Sequence, residues 1–145
     1  MSEPRSDFRA TRRIEFADTD MGNLVHFSRF FVFMETTEHE FLHSLGATVH
    51  FEHQGRRIGW PRLEARCQYL SPARFGDELE IHLRVVRKGE SSMTYDFTFR
   101  IGQRLVARGR IASVCCVLDG PDGLEAIAIP AALADRIEAA GESEQ

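Results

Sequence analysis

Residues 28–46 read SRFFVFMETTEHEFLHSLG. Phe30, Phe31, Met34, Phe41, Leu42 and Leu45, with Phe27 just upstream, recur at three- and four-residue spacing and form one apolar stripe. Ser28 suits the N-cap position, and Gly46 supplies the left-handed stop that ends many helices. The spacing predicts a helix over 28–45, the only long one before the C-terminus. A stripe this aromatic needs cover on several sides. Glu38 falls at its centre, four residues after Met34 and three before Phe41. A carboxylate there must be paired, protonated or functional, because burying it alone is costly.

Working outward, FRATRRIEF (8–16) alternates, with Phe8, Ala10, Arg12, Ile14 and Phe16 on one side. Downstream, RLEARCQYL (62–70), LEIHLRVV (79–86), MTYDFTFRI (93–101) and RLVARGRIASVCCVL (104–118) read as a meander of strands. Leu63, Ala65, Cys67 and Tyr69 share one face of the first of these. PAALADRIEAA (130–140) reads as a short terminal helix with Pro in its first turn. Five long antiparallel strands need something over their apolar face, and one aromatic helix is the obvious cover. The expected fold is α+β: a single domain over 1–145, with a five-stranded antiparallel sheet wrapped around one long central helix.

The length of 145 residues suits one domain with a sizeable core. A net charge of −4 argues against a nucleic-acid partner, since duplex binding needs a basic surface. Lys88 is the only lysine; the other cations are arginines. Cys67, Cys115 and Cys116 lack metal-ligand spacing, so no metal site is expected. The N-terminal residues MSEPRSDFRATRR contain no apolar run of the kind a signal peptide needs, and no stretch approaches the length of a membrane span. A cytoplasmic protein with reduced thiols is the expectation.

The segment EFADTDMGNLVHFS (15–28) gathers Asp18, Asp20 and His26 just before the helix. The first turn of a helix presents N–H groups without partners, and its macrodipole adds partial positive charge. A carbonyl pointed there would have its developing oxyanion stabilised. A nearby carboxylate could attack that carbonyl or activate water. The plainer reading is a turn and a cap, and Asp18 is assigned to the turn.

The stretch IEFADTDMGNLVHFSRFFVFMETTEHEFLHSLG, followed by PRLEARCQYLSPARFGDELEI, resembles the 4-hydroxybenzoyl-CoA thioesterase family over roughly residues 10–118. The resemblance implies a hot-dog fold, homodimers often paired into homotetramers, and hydrolysis of an acyl-CoA substrate, with no cofactor, since coenzyme A is part of the substrate. It places the catalytic carboxylate at Asp20 and the oxyanion-binding backbone N–H seven residues on, at Phe27. Many family members carry Tyr four residues before that Asp and His seven after it. Phe16 and Phe27 stand at those positions here, and the histidine lies one place earlier, at His26, as a candidate helper.

Glu38 is a further catalytic candidate, because a separate class of hot-dog thioesterases uses a helix carboxylate. Its plainer reading is a glutamate at the subunit interface, paired with arginine. Arg57, Arg87 and Lys88 are candidates for holding the phosphates of CoA, since cations on a cleft rim suit phosphate. Two other functions compete with thioester hydrolysis. One is an acyl-thioester hydratase or dehydratase on the same fold, although HFP and a compact Asp-x-Asn-Pro-x-His are absent. The other is a non-catalytic acyl-thioester-binding module. Open sheet edges point to at least a homodimer, with no membrane partner.

Overall fold

The computed structural model describes residues 3–142. In chain order these form β1 (Asp7–Arg13), α1 (Arg29–Ser44), β2 (Phe51–His53), β3 (Arg56–Gly59), β4 (Arg62–Tyr69), β5 (Glu78–Lys88), β6 (Ser92–Ile101), β7 (Arg104–Val114), β8 (Cys116–Gly120), β9 (Gly123–Ala126) and α2 (Ala131–Ala134). The large sheet has strand order β1-β5-β6-β7-β4, with antiparallel neighbours throughout. Its inner face carries Leu79, Ile81, Leu83 and Val85 of β5 and Met93, Tyr95, Phe97 and Phe99 of β6, all buried. Against them lie Phe30, Phe33, Met34, Thr37, Phe41 and Leu42 of α1. Full burial of such apolar side chains contributes roughly 1.5–3 kcal/mol each, which is why the sheet curls around this helix.

Gly109 on β7 sets how closely helix and sheet approach. A Cβ there would lie 2.3 Å from Met34 Sδ, so its absence lets α1 settle onto the middle of the sheet. The aromatic character of the helix is used in edge-on contacts. Phe30 meets Phe99 and Tyr69 at 5.3 and 5.4 Å, and Phe41 meets Tyr95 at 6.1 Å.

The central helix and its five-stranded wrapping match the sequence expectation, and several details differ. Residues 104–118 form two strands, because Cys115 leaves the large sheet: its N–H bonds Ser91 O and its carbonyl accepts from Ile127. A second sheet, order β2-β3-β8-β9, lies beyond that point. Arg56 and Arg57 lie in β3 of this sheet, because Gln54 and Gly55 (φ 55° and 77°) close a tight hairpin. The terminal helix shortens to Ala131–Ala134. Beyond it Glu138 N–H bonds Arg5 O, and Lys88 Nζ takes the carbonyls of Ala134 and Ile137. Phe16 does not extend β1; it opens a 3-10 turn over Phe16–Asp18 and is 78% exposed. Ser28 stands at the N-cap, but its hydroxyl pairs with His26 Nδ1 at 2.7 Å and caps no backbone N–H.

Candidate active site

Between β1 and α1 the chain is held mainly by Asp18. Its buried carboxylate accepts the Glu15 N–H at 2.8 Å and Arg29 Nε at 2.8 Å, and Arg29 Nη2 lies 2.7 Å away. The Asp18 carbonyl accepts the His26 N–H. Asp18 therefore fastens both ends of the segment to the first turn of the helix. The intervening residues form a small hairpin. Asp20 N–H bonds Leu24 O at 2.9 Å, Asn23 N–H bonds Asp20 O at 3.0 Å, and Thr19 bridges Val25. Asn23 takes the left-handed conformation (φ 63°) that this turn demands and that Asn tolerates.

This hairpin orients Asp20. Oδ1 accepts the Gly22 N–H at 2.8 Å and, more weakly, the Leu24 N–H at 3.4 Å. Among the described residues Oδ2 has no hydrogen-bond partner, and the side chain is exposed. One oxygen is thus anchored by backbone and the other is free to take a proton or attack. Gly22 stands close to it: a Cβ at Gly22 would lie 3.2 Å from Asp20 Oδ1.

Six residues on, His26 is half-buried and stacks on Phe27 at 4.5 Å between ring centroids. Among the described residues the Phe27 N–H has no acceptor. It lies just before the N-terminus of α1, where the helix dipole favours negative charge. The Phe27 carbonyl is held by the Tyr69 hydroxyl at 2.9 Å. Burial, reinforced by Cys67, pushes the Tyr69 phenol up to about 12, so it stays a donor at neutral pH. Phe27 (63% exposed) shares this end of the molecule with the edge-on pair Phe16–Phe75, in which Phe75 is 58% exposed. The segment 73–77 packs under the loop, with Val25 N–H on Ala73 O and Ile14 N–H on Asp77 O. An anchored carboxylate, a free N–H at a helix start and exposed aromatic surface together suit acyl transfer from a substrate with an apolar acyl group.

The family model described as "Thioesterase superfamily" matches residues 22–108. The chain belongs to the thioesterase superfamily. It is a thioester hydrolase of the hot-dog fold. Among similar proteins, the 1,4-dihydroxy-2-naphthoyl-CoA hydrolase of Synechococcus sp. (strain WH7803) is 27% identical over 121 residues, 79% of each chain. Among solved structures, a 1,4-dihydroxy-2-naphthoyl-CoA thioesterase from Synechocystis superposes with a TM-score of 0.76 at 23% identity, over 89% of this chain and 96% of its own. The 4-hydroxybenzoyl CoA thioesterase of Pseudomonas sp. strain CBS-3 gives 0.75 at 20% identity, over 90% and 98%.

The residues singled out in the sequence of this thioesterase-superfamily chain fall in four places. Asp20, His26 and the Phe27 N–H share one loop. Glu38 lies apart from that loop on α1, 1% exposed, and makes a two-pronged pair with Arg62 at 2.6 and 2.8 Å; Arg62 also donates to Ser113 Oγ at 2.8 Å. Burial works against the Arg62 charge, but its bonds to Glu38 outweigh that and raise its pKa. The cations are scattered. Arg87 pairs with Glu142 at 2.7 Å, Lys88 ties down the C-terminal segment, and Arg57 lies on the second sheet opposite Glu52. Arg87 and Lys88 stand at the far end of β5 from the Asp20 loop, roughly 33 Å away along the strand, so within one chain they do not reach it. Sequence reasoning missed Tyr69 and Phe75 as parts of this site. An aromatic in the otherwise polar turn 71–78 was the available signal for Phe75; nothing local ties Tyr69 to Phe27. No helix among the described residues is long and apolar enough to cross a membrane.

Proposed function

We propose that the chain hydrolyses an acyl-CoA through Asp20. The observation that carries this reading is the Asp20 carboxylate, with Oδ1 anchored on the Gly22 N–H and Oδ2 open. The thioester carbonyl points its oxygen at the Phe27 N–H. As nucleophile, Asp20 attacks the carbonyl carbon, expels the CoA thiolate and leaves an anhydride that water cleaves. As base, it takes a proton from the water that attacks. Both routes end in free acid and CoA. His26, fixed by Ser28, lies beside the loop as a proton-carrying helper, and Glu38 holds α1 to the sheet through Arg62. The exposed Phe16, Phe27 and Phe75 suit an aromatic acyl group, the class named in the relatives, whose rings stack on such surfaces.

The site is completed by a second copy of the chain. β4 is a free edge of the large sheet and its face is open, with Leu63 67% exposed. Pairing of such edges in a homodimer covers this surface. Any contribution of Arg87 or Lys88 to CoA phosphates then comes from the partner.

The test is thiol release from a panel of aryl- and alkyl-CoA thioesters. Asp20→Asn keeps the fold and lowers turnover about 10²–10⁴-fold. Asp18→Asn has a much smaller effect on turnover per folded molecule, with His26→Ala in between. Turnover by Asp20→Asn within about threefold of the parent removes Asp20 from the chemistry.

A further inference from the structure

The sheet face turned away from α1 is strongly charged. On β6 the core takes Phe97 and Phe99, so Asp96, Thr98 and Arg100 point outward; the same alternation turns out Arg84 and His82 of β5 and Arg108 and Arg110 of β7. Two adjoining troughs of about 670 and 620 Å³ run across this face and share Thr98 and Arg100. Six arginines line them, Arg9, Arg66, Arg84, Arg100, Arg108 and Arg110, against two carboxylates, Asp96 and Glu80. This excess of positive charge stands on a chain whose net charge is −4.

Internal pairing leaves part of that charge without a carboxylate among the described residues, at Arg9, Arg100 and Arg108. Asp96 is used by Arg110, at 2.6 and 3.0 Å, and Glu142 reaches in from the C-terminal segment to the same arginine at 2.7 Å. Arg66 stands directly opposite Arg110 across the β4–β7 ladder, a like-charge placement that costs stability. Its carboxylate partner is the exposed Glu64, at 3.2 Å. Arg108 lies between Gln68 and Thr98 and has no hydrogen bond or ion pair among the described residues, and Arg100 donates to the Gln103 carbonyl. A second copy stacked on this face through a twofold axis would set the same excess of arginine against itself.

We infer that the outer face of the sheet is a second binding site, for a small polyphosphate-bearing ligand of the nucleotide class. Guanidinium groups grip phosphate through paired N–H donors, and several phosphates are needed to match several arginines. A trough of this volume holds a nucleotide-sized molecule. Glu142 already shows an anionic group seated at one end; the Arg100–Arg108 end is open to a phosphate. The site lies on the opposite side of the sheet from α1 and does not depend on the role of Asp20.

Calorimetric titration of the full chain with inorganic tripolyphosphate, then with adenosine 3′,5′-bisphosphate, tests this. Saturable binding of one ligand per chain is expected, weakening as salt rises. Arg100→Gln/Arg108→Gln weakens it at least tenfold with an unchanged melting temperature, Arg108→Lys recovers part of it, and Asp20→Asn leaves it intact. A KM that rises in the double variant for acyl-CoA but not for the matching N-acetylcysteamine thioester assigns the phosphates to the substrate's own nucleotide. Unchanged KM values with tripolyphosphate binding lost assign them to a separate nucleotide. Absence of saturable binding, or binding that survives the double substitution, overturns the site.

Discussion

At the scale of single residues, the two aspartates of the 15–28 segment divide the labour through their surroundings. Asp18 is buried and saturated by Glu15 N–H and Arg29, so it stabilises the loop. Asp20 is exposed, with Oδ1 held by backbone N–H groups and Oδ2 without a partner among the described residues, which is the state the proposed chemistry needs. On the proposed mechanism, Gly22 is the residue through which local geometry reaches turnover. Its φ is not positive, so alanine is tolerated by the backbone, yet the new Cβ would press on Asp20 Oδ1 from 3.2 Å. Gly22→Ala is therefore expected to lower kcat several-fold with little change in melting temperature, because a small misplacement of a reacting group is costly. Steady-state kinetics beside a thermal melt separates the two effects; an unchanged kcat would mean that Asp20 shifts without consequence.

Among the elements, α1 decides the most. Its buried face is apolar except at Thr37 and Glu38, and Glu38 pairs with Arg62 of β4, which also donates to Ser113 of β7. Removing one member of a buried pair strands the other, at a cost that reaches 3–5 kcal/mol in fully buried cases. Arg62 retains partial access to water, so Glu38→Ala is expected to lower stability by about 2–3 kcal/mol. Its turnover at a temperature where the variant is fully folded should stay within a few-fold of the parent. Denaturant unfolding measures the first and thiol release the second. A hundredfold loss of kcat in a folded Glu38→Ala protein would move the chemistry from the loop to the helix.

For the whole molecule, two expectations follow from burial and from edges. Burial pushes the Cys67 and Cys115 thiols up to about 11, from an ordinary value of 9.0, and Tyr69 up to about 12. Each folded group holds its proton more tightly than the unfolded chain does. The contribution of the thiols is therefore complete below about pH 9 and is lost as pH rises to about 11, and that of Tyr69 is lost between about pH 10 and 12. With the partly exposed Cys67 and Tyr69 discounted, a loss on the order of 2 kcal/mol lowers Tm by about 4–8 °C between pH 8 and pH 10.5, read by a thermal melt. A flat profile would show that these groups ionise as freely in the fold as outside it. The open β4 edge predicts a homodimer or a larger even assembly, and light scattering at micromolar concentration giving the mass of one chain would contradict it.

The central helix, the inner faces of β5 and β6 and the α+β class were legible because they rest on periodicity, which a linear sequence carries in full. The Asp20 loop was legible for a similar reason: its carboxylate, its turn residues and the helix start are neighbours along the chain. The second sheet was not, because nothing local in 104–118 tells that the backbone of Cys115 will turn to Ser91 and Ile127. The direction of each cation was also out of reach. Arg57, Arg87 and Lys88 carry the same charge in the sequence as Arg100 and Arg108, and only strand register places Arg57 on the second sheet, sets Arg87 and Lys88 away from the Asp20 loop and gathers the last two in one trough. Contacts between residues far apart in the chain, Glu38 with Arg62 and Tyr69 with Phe27, exist only once the sheet has closed on its helix, because the fold alone brings their atoms within hydrogen-bond range.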